Sequence, residues 1–181
     1  MTTPENSDEA AFERRVPEGD DRERLVCRDC GFVNYENPKV VVGAVVGAGD
    51  RILMCRRAID PRSGFWTLPA GYLELGESAA EGARREAWEE AQAEIEIDQL
   101  LAVYAIRRIS QIQLIYRARL RSTQVAAGRE SLEVALFRWD EIPWDDIAFP
   151  SVHWALRDYR SLRHAMAFAP RGNPDGATGD L

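Results

Sequence analysis

The most constraining feature of this sequence is an alanine-rich segment, 78–93, that combines helix signals with a row of carboxylates. Ser78 followed by Glu81 is a capping-box pattern, which places a helix start at Ser78. At about 100° per residue, alanines at every third or fourth position share one stripe, while Glu86, Glu89 and Glu90 share another face. The pattern predicts a helix that packs small residues on a sheet and turns three carboxylates outward together.

Like charges at these spacings repel by a few tenths of a kcal/mol per pair on an exposed helix. Such a face is either an ordinary solvated charge ladder or a ligand site. The aromatic, glycine-punctuated segment before the helix, 64–77, favours a ligand site. Carboxylate oxygens suit Mg²⁺ or Mn²⁺, which takes one or two carboxylates together with waters and substrate phosphate oxygens. The residues therefore predict metal-assisted attack on a phosphate.

The composition of the chain limits the kinds of partner that it can bind. Thirty acidic residues against 23 basic ones give a net charge of −7, which argues against an electrostatic nucleic-acid binder. No stretch approaches the roughly 20 apolar residues that a membrane span needs, and the start of the chain has no secretory pattern. We therefore expect a cytoplasmic protein with no nucleic-acid or membrane partner, and the length of 181 residues favours one domain with short appendages.

Strand patterns surround the predicted helix. Apolar runs at 40–46 and 51–56, separated by a turn, predict two strands, and 100–106 and 134–139 predict two more. Alternation over 112–120 predicts a strand with one buried face. A final helix is predicted over 151–166, with His153 and His164 structural or solvated. Polar segments without periodicity, 1–11 and 170–181, are predicted to be disordered.

The spacing of Gly71, Glu77 and the run 85–90 (Arg-Glu-Ala-Trp-Glu-Glu) resembles the Nudix box, the signature of hydrolases that cleave a nucleoside diphosphate linked to another moiety. Segments 16–20, 27–31, 35–38, 66–74 and 130–133 are similar to the branch that includes ADP-ribose and FAD pyrophosphatases. The resemblance implies an α/β fold, a Nudix-type α/β/α sandwich with a mixed β-sheet, over 39–169. A small degenerate zinc-ribbon-like segment, 12–38, would precede it.

The same resemblance implies a metal site. Glu86, Glu89 and Glu90 would ligate one to three Mg²⁺ or Mn²⁺ ions, with a backbone carbonyl near Ala70 and Gly71 as a further ligand. The ions would bridge the pyrophosphate oxygens and lower the pKa of an attacking water.

Two further roles follow from the resemblance. Glu77 would pair with Arg85 and hold the loop on the helix. Either Glu130 or Glu133 would act as general base or as an extra ligand, and the sequence does not choose between them.

Four residues are candidates for binding the small nucleotide substrate. Arg56 and Arg57 either clamp the diphosphate or are solvated arginines. Trp66 and Tyr72 either stack on adenine or flavin or belong to the core.

The sequence departs from the family pattern at two places. The box normally ends with a glycine two positions after the last glutamate, where this chain has Gln92. A left-handed conformation there would cost a non-glycine residue about 1 kcal/mol or more, so the helix is expected to continue or to end differently. Cys27 and Cys30 supply two ligands where structural zinc normally needs four, so bound zinc is not expected.

The resemblance favours ADP-ribose or FAD as substrate, with AMP and the other half as a phosphate as products. An NADH pyrophosphatase is the alternative enzyme, although its usual Ser-Gln-Pro-Trp-Pro-Phe-Pro element is absent. A non-catalytic nucleotide-sensing module is the alternative from another class, against which the chain keeps all four box glutamates. A homodimer is an expectation from the family alone.

Overall fold

The computed structural model describes residues 11–179, which fall into two compact units, one ending at Asn37 and the other beginning at Pro38. The predicted disorder at the N-terminus falls on 1–10, outside the described residues, except for Ala11. The first unit is an antiparallel sheet of β1 (Phe12–Arg15), β2 (Arg24–Cys27) and β3 (Val33–Asn34), in that order. The chain turns tightly after β2, where the Gly31 N–H donates to the Cys27 carbonyl at 3.0 Å.

The second unit is built on one seven-stranded sheet. Its strands are β4 (Lys39–Ala48), β5 (Arg51–Arg57), β6 (Trp66–Thr67), β7 (Ala70–Tyr72), β8 (Ile95–Ile106), β9 (Gln111–Leu120) and β10 (Ser131–Arg138). The order is β10-β5-β4-β9-β8, with β6 paired to β5 and β7 paired to β4. Because β4 and β9 run parallel while the other pairs are antiparallel, the sheet is mixed, as predicted.

Two helices cover the two faces of this sheet. Alternating residues of β4 and β5 point to opposite sides, so that Ala44 and Leu53 pack with α1 (Ala79–Ala91), whereas Val45 and Met54 pack with α2 (Pro150–Leu162). The predicted α/β/α sandwich is confirmed. The second helix ends four residues earlier than the sequence predicts.

Strand β9 corrects one expectation. The alternation predicts a single buried face, but β9 lies between β4 and β8 and is covered on both sides. Arg117, predicted to face solvent, is buried. Its guanidinium donates to Asp98 at 2.6 Å, to the Ala165 carbonyl at 2.9 Å and to the Leu162 carbonyl. Arg117 therefore ties the end of α2 to the sheet.

The C-terminal segment also differs from expectation. β8 is an edge strand, and its Val103 N–H donates to the Arg171 carbonyl at 2.8 Å while the Arg171 N–H donates to Leu101. The Asn173 amide accepts from the Ala105 N–H at 2.8 Å and donates to its carbonyl at 2.9 Å. Residues 171–173 thus lie along β8, where they satisfy backbone groups that an edge strand leaves open. The last two residues of the predicted disordered tail, 180–181, lie outside the described residues.

Among residues 11–179, the structure contains no helix that combines the length and the apolar character needed to cross a membrane.

Candidate active site

The carboxylate helix α1 begins as the sequence predicts. The Ser78 hydroxyl accepts from the Glu81 N–H, and the Glu81 carboxylate accepts from the Ser78 N–H at 2.8 Å, which completes the capping box. At its other end the helix stops at Ala91, and Gln92 adopts the left-handed conformation with φ 48° and ψ 34°. The expectation of a continued or different ending is wrong. The chain keeps the usual helix end at a cost of about 1 kcal/mol.

The three carboxylates do not face outward together. Glu86 and Glu90 are only 8% and 6% exposed, whereas Glu89 lies in solvent. The exposure differs because the loop before α1 folds over Glu86 and Glu90 but not over Glu89. The Ala70 N–H donates to the Glu90 carboxylate at 3.2 Å, and a Cβ at Gly71 would overlap the Glu86 carboxyl group. A side chain at position 71 would therefore displace the Glu86 carboxyl group.

Burial makes this carboxylate pair electrostatically unusual. Desolvation, together with the charges of Glu86 and Glu130, raises the pKa of Glu90 to about 8, although the Ala70 N–H and Arg57 act in the opposite direction. Desolvation also raises the pKa of Glu86, although Arg85 counteracts it. Two buried carboxylates without a full complement of cations are costly. Such a pair is a ready acceptor for a positive ion.

Arg85 holds the loop and the helix together. Its Nε donates to Glu77 Oε2 at 3.0 Å and its Nη2 to Glu77 Oε1 at 2.7 Å, so the pairing of these two residues is two-pronged. Nη2 also donates to the Tyr72 carbonyl at 2.9 Å, and Nη1 reaches Glu86 at 2.7 Å and Glu89 at 3.0 Å. The Arg85 hydrogen bonds lower the pKa of Glu77 to about 2. One guanidinium thus fixes the loop against the carboxylate helix.

The donor set fits a hard divalent cation. Within the described chain, no three His, Cys, Asp or Glu side chains converge as a preformed metal cage, and Arg85 lies between Glu86 and Glu89. Mg²⁺ characteristically takes one or two carboxylates and completes its shell with water and substrate phosphate. Two buried carboxylates beside a loop backbone meet that requirement.

A cleft of about 1510 Å³ opens beside these carboxylates. Among the residues sought from the sequence, its walls contain Ala70, Gly71, Tyr72, Arg85, Glu86, Glu89, Glu90, Arg57 and Glu130. Arg57 donates to the Pro61 carbonyl at 2.9 Å and lies 5.1 Å above the Phe149 ring. The cleft therefore brings a guanidinium and a further carboxylate to the buried pair.

Three of the site residues predicted from the sequence lie outside the cleft. Neighbouring positions on β5 point to opposite faces, so Arg56 lies away from the cleft that Arg57 lines, and it pairs with Glu133 at 3.7 Å. Trp66 is buried and packs edge-on against Phe137 at 4.8 Å, as a core residue. Roles for Arg56, Glu133 and Trp66 in contacting substrate find no support in this geometry.

Several cleft residues escape sequence reasoning. Arg129 and Gly128 lie in the loop before β10, Phe149 precedes α2, and Gln113 lies on β9. Gln113 is one of the polar positions in the alternation over 112–120, and Phe149 belongs to none of the motifs described above. Arg129 carries no motif, although its position beside Glu130 is a signal.

The two histidines lie outside this site. His153 stacks on Trp144 with ring centroids 5.8 Å apart, and His164 is exposed.

In the first unit, backbone hydrogen bonds from Cys30 and Asp29 lower the pKa of Cys27. The absence of bound zinc stays a prediction.

Comparison with known proteins identifies the family of this fold and site. A NUDIX domain model matches residues 37–155, and a model described as Nudix N-terminal matches residues 10–36. A crystal structure of a NUDIX hydrolase from Nitrosomonas europaea is 44% identical, with a TM-score of 0.83 over 90% of this chain and 93% of that one.

Curated relatives match over shorter segments. A MutT-like protein of Streptomyces ambofaciens is 35% identical over 102 residues, 56% of this chain and 64% of that relative. An ADP-ribose pyrophosphatase of Methanocaldococcus jannaschii is 27% identical over 113 residues, 60% of this chain and 67% of that relative. The chain thus spans about two thirds of each. Because the NUDIX domain model matches residues 37–155 and a NUDIX hydrolase of known structure is 44% identical over 90% of this chain, the chain belongs to the Nudix hydrolase family.

Proposed function

We propose that this protein hydrolyses the pyrophosphate bond of a nucleoside diphosphate linked to another moiety, ADP-ribose or FAD, giving AMP and the other half as a phosphate. The observation that carries the proposal is the buried pair Glu86 and Glu90 at the wall of a cleft of about 1510 Å³. The relative named as an ADP-ribose pyrophosphatase supports ADP-ribose. FAD rests on the sequence resemblance.

Glu86 and Glu90 would hold Mg²⁺ or Mn²⁺, with exposed Glu89 and a backbone carbonyl near Ala70 and Gly71 as additional donors. When bound, such an ion offsets the charge of the pyrophosphate and favours attack by water. Nudix hydrolases generally use divalent metals, and the hard-oxygen donor set is the feature of this chain that supports one. Arg85 keeps the loop in place and limits the freedom of Glu86 and Glu89.

Glu130 is the better candidate for the further carboxylate. It lines the cleft, and its charge acts on both Glu86 and Glu90. Glu133 instead pairs with Arg56 on the other side of the strand. We infer that Glu130 receives the proton of the attacking water, a role that typically contributes 10²–10⁴-fold in rate.

The remaining cleft residues suit the two halves of the substrate. Arg57 and Arg129 supply guanidinium groups for phosphate oxygens. Tyr72, half exposed at the cleft wall, presents a ring for an adenine or flavin. Gln113 and Phe149 line the part of the cleft next to α2 and would contact the other half.

The test is product analysis. Protein incubated with Mg²⁺ or Mn²⁺ and, separately, ADP-ribose, FAD, NADH and a nucleoside triphosphate should release AMP from ADP-ribose or FAD. Preferential cleavage of NADH would favour the alternative enzyme. Glu90→Gln should abolish turnover while leaving the circular dichroism spectrum unchanged. Cleavage of none of the four, or full activity in Glu90→Gln, would refute the proposal, and a nucleotide-sensing module would then be preferred.

A cytoplasmic location and a homodimer stay predictions. Light scattering of the purified chain tests the second. Metal analysis of protein purified without chelator tests the expectation that Cys27 and Cys30 hold no zinc, which stoichiometric zinc would contradict.

A further inference from the structure

Gly128 lies against the C-terminal end of α1, in the loop between β9 and β10. Its N–H donates to the Glu90 carbonyl at 3.0 Å, and the Ala126 N–H donates to the Ala91 carbonyl at 3.0 Å. Carbonyls in the last turn of a helix have no partner within the helix itself. This loop therefore caps the helix that carries the buried carboxylates.

Gly128 has no room for a side chain. A Cβ at this position would overlap the Glu89 carbonyl oxygen and lie 3.2 Å from the Glu90 Cα. Both are backbone atoms, which cannot rotate away as the end of a side chain can. The φ angle of Gly128 is outside the left-handed range, so close approach of two backbones is what requires glycine here.

The same loop fixes Glu130 from two sides. The Ser131 N–H donates to the Gly128 carbonyl at 3.2 Å, which closes a four-residue turn with Glu130 in its third position. The Ala58 N–H donates to the Glu130 carbonyl at 2.8 Å. The backbone of Glu130 is thus held between the end of α1 and the residue after β5.

We propose that Gly128 is a positioning residue, whose contact with the end of α1 sets the separation between the Glu130 carboxylate and those of Glu86 and Glu90. The inference rests on the proposed function, in which Glu130 takes part in the reaction. A side chain at position 128 would push the turn away from α1. It would displace Glu130 while leaving the capping box and the Arg85 contacts of the helix intact.

A double-mutant cycle tests this. Gly128→Ala should lower kcat about tenfold to hundredfold, because displacements of about 1 Å at reacting groups have effects of that size. In the Glu130→Gln background, whose residual rate is the reference, the same change should alter kcat less than about twofold, since groups acting through one another are not additive. Gly172→Ala is the matched control, because a Cβ there meets no atom within 4 Å and wild-type kcat is expected.

Each outcome decides something. Equal fold-losses from Gly128→Ala in the two backgrounds, or wild-type kcat in Gly128→Ala, would overturn the positioning role alone. Wild-type kcat in Glu130→Gln would overturn the role of Glu130 and this inference with it. A wild-type protein that cleaves no pyrophosphate substrate would overturn the proposed function, which the product panel shows before any variant is made.

A second variant keeps the test decisive if Gly128→Ala does not fold. Ala126→Pro removes one N–H donor to the end of α1 and leaves the glycine in place. We expect a loss of kcat of several fold in the wild-type background, and no loss in Glu130→Gln. Hydrogen exchange at the Gly128 amide should be faster in this variant, and unchanged exchange together with unchanged kcat would contradict the inference.

Discussion

Arg85 and Glu77 are joined by two parallel hydrogen bonds, of 3.0 and 2.7 Å, across the junction between the loop and α1. Lysine cannot reproduce this geometry, because its ammonium is a point donor. We expect Arg85→Lys to lower kcat about tenfold or more, as loop and carboxylates lose their alignment. Steady-state kinetics with the proposed substrate measures this, and wild-type kcat would contradict it.

The same pair predicts a pH dependence of stability. Since Arg85 depresses the pKa of Glu77 from 4.5 to about 2, the pair stabilises the folded state above about pH 4.5 and this contribution is lost as the pH falls towards 2. The difference in unfolding free energy between wild type and Glu77→Gln should be constant above pH 5 and shrink below it. Urea titrations at several pH values measure the difference. A gap that widens towards acid pH would be inconsistent with the ion pair.

For Glu90, the change of folding stability with pH has the opposite sign. Its folded-state pKa is raised to about 8, so the unfolded chain ionises first, and wild-type stability falls between about pH 4.5 and pH 8. Glutamine does not titrate but retains an acceptor for the Ala70 N–H. In chelator, Glu90→Gln should therefore gain stability over wild type on going from pH 5 to pH 8.5, on the order of 1–3 kcal/mol. An equal stability difference at both pH values would refute the burial argument.

The loop backbone at Gly71 lies on the Glu86 carboxyl group. Gly71→Ala should displace that carboxyl group from its place in the cleft and lower kcat about tenfold to hundredfold. Gly172→Ala again serves as control. Wild-type kinetics in Gly71→Ala would show that the Glu86 carboxyl group can move without consequence for turnover.

Substitutions of Trp66 and Tyr72 should have different effects, although the sequence makes both aromatic residues candidates for substrate binding. Trp66 packs in the core against Phe137, so Trp66→Phe should destabilise the fold, by about 1–3 kcal/mol, with little change in KM. Tyr72 is half exposed at the cleft, so Tyr72→Ala should raise KM severalfold at nearly unchanged Tm. Thermal melting and kinetics on the two variants decide, and the reverse pattern would contradict the placement.

Asn173 should hold the C-terminal segment on the edge of the sheet. Asn173→Ala removes two hydrogen bonds to Ala105, each worth about 1 kcal/mol. Hydrogen exchange at the Ala105 amide should accelerate, while amides in the centre of β4 keep their protection. Equal exchange in variant and wild type would mean that the Asn173 side chain is not needed to hold the segment on β8.

Local sequence patterns alone were enough to predict several of the helices and strands of this protein. The capping box at Ser78, the alanine stripe of α1 and the apolar runs of β4 and β5 depend on residues close in sequence, whose periodicity reports which face is buried. The resemblance to the Nudix box indicated the family and implied the pairing of Glu77 with Arg85.

The tertiary structure decided which charges are buried and which candidates share a cleft. Glu86 and Glu90 differ from Glu89 because the loop that precedes α1 folds back over them. Arg57 and Glu130 line the same cleft as the carboxylates, whereas Arg56 and Glu133 do not. Arg56 and Arg57 are separated because neighbouring residues of a strand face opposite sides of the sheet. Burial and proximity between segments far apart in sequence are sums over the whole fold, and no local pattern contains them.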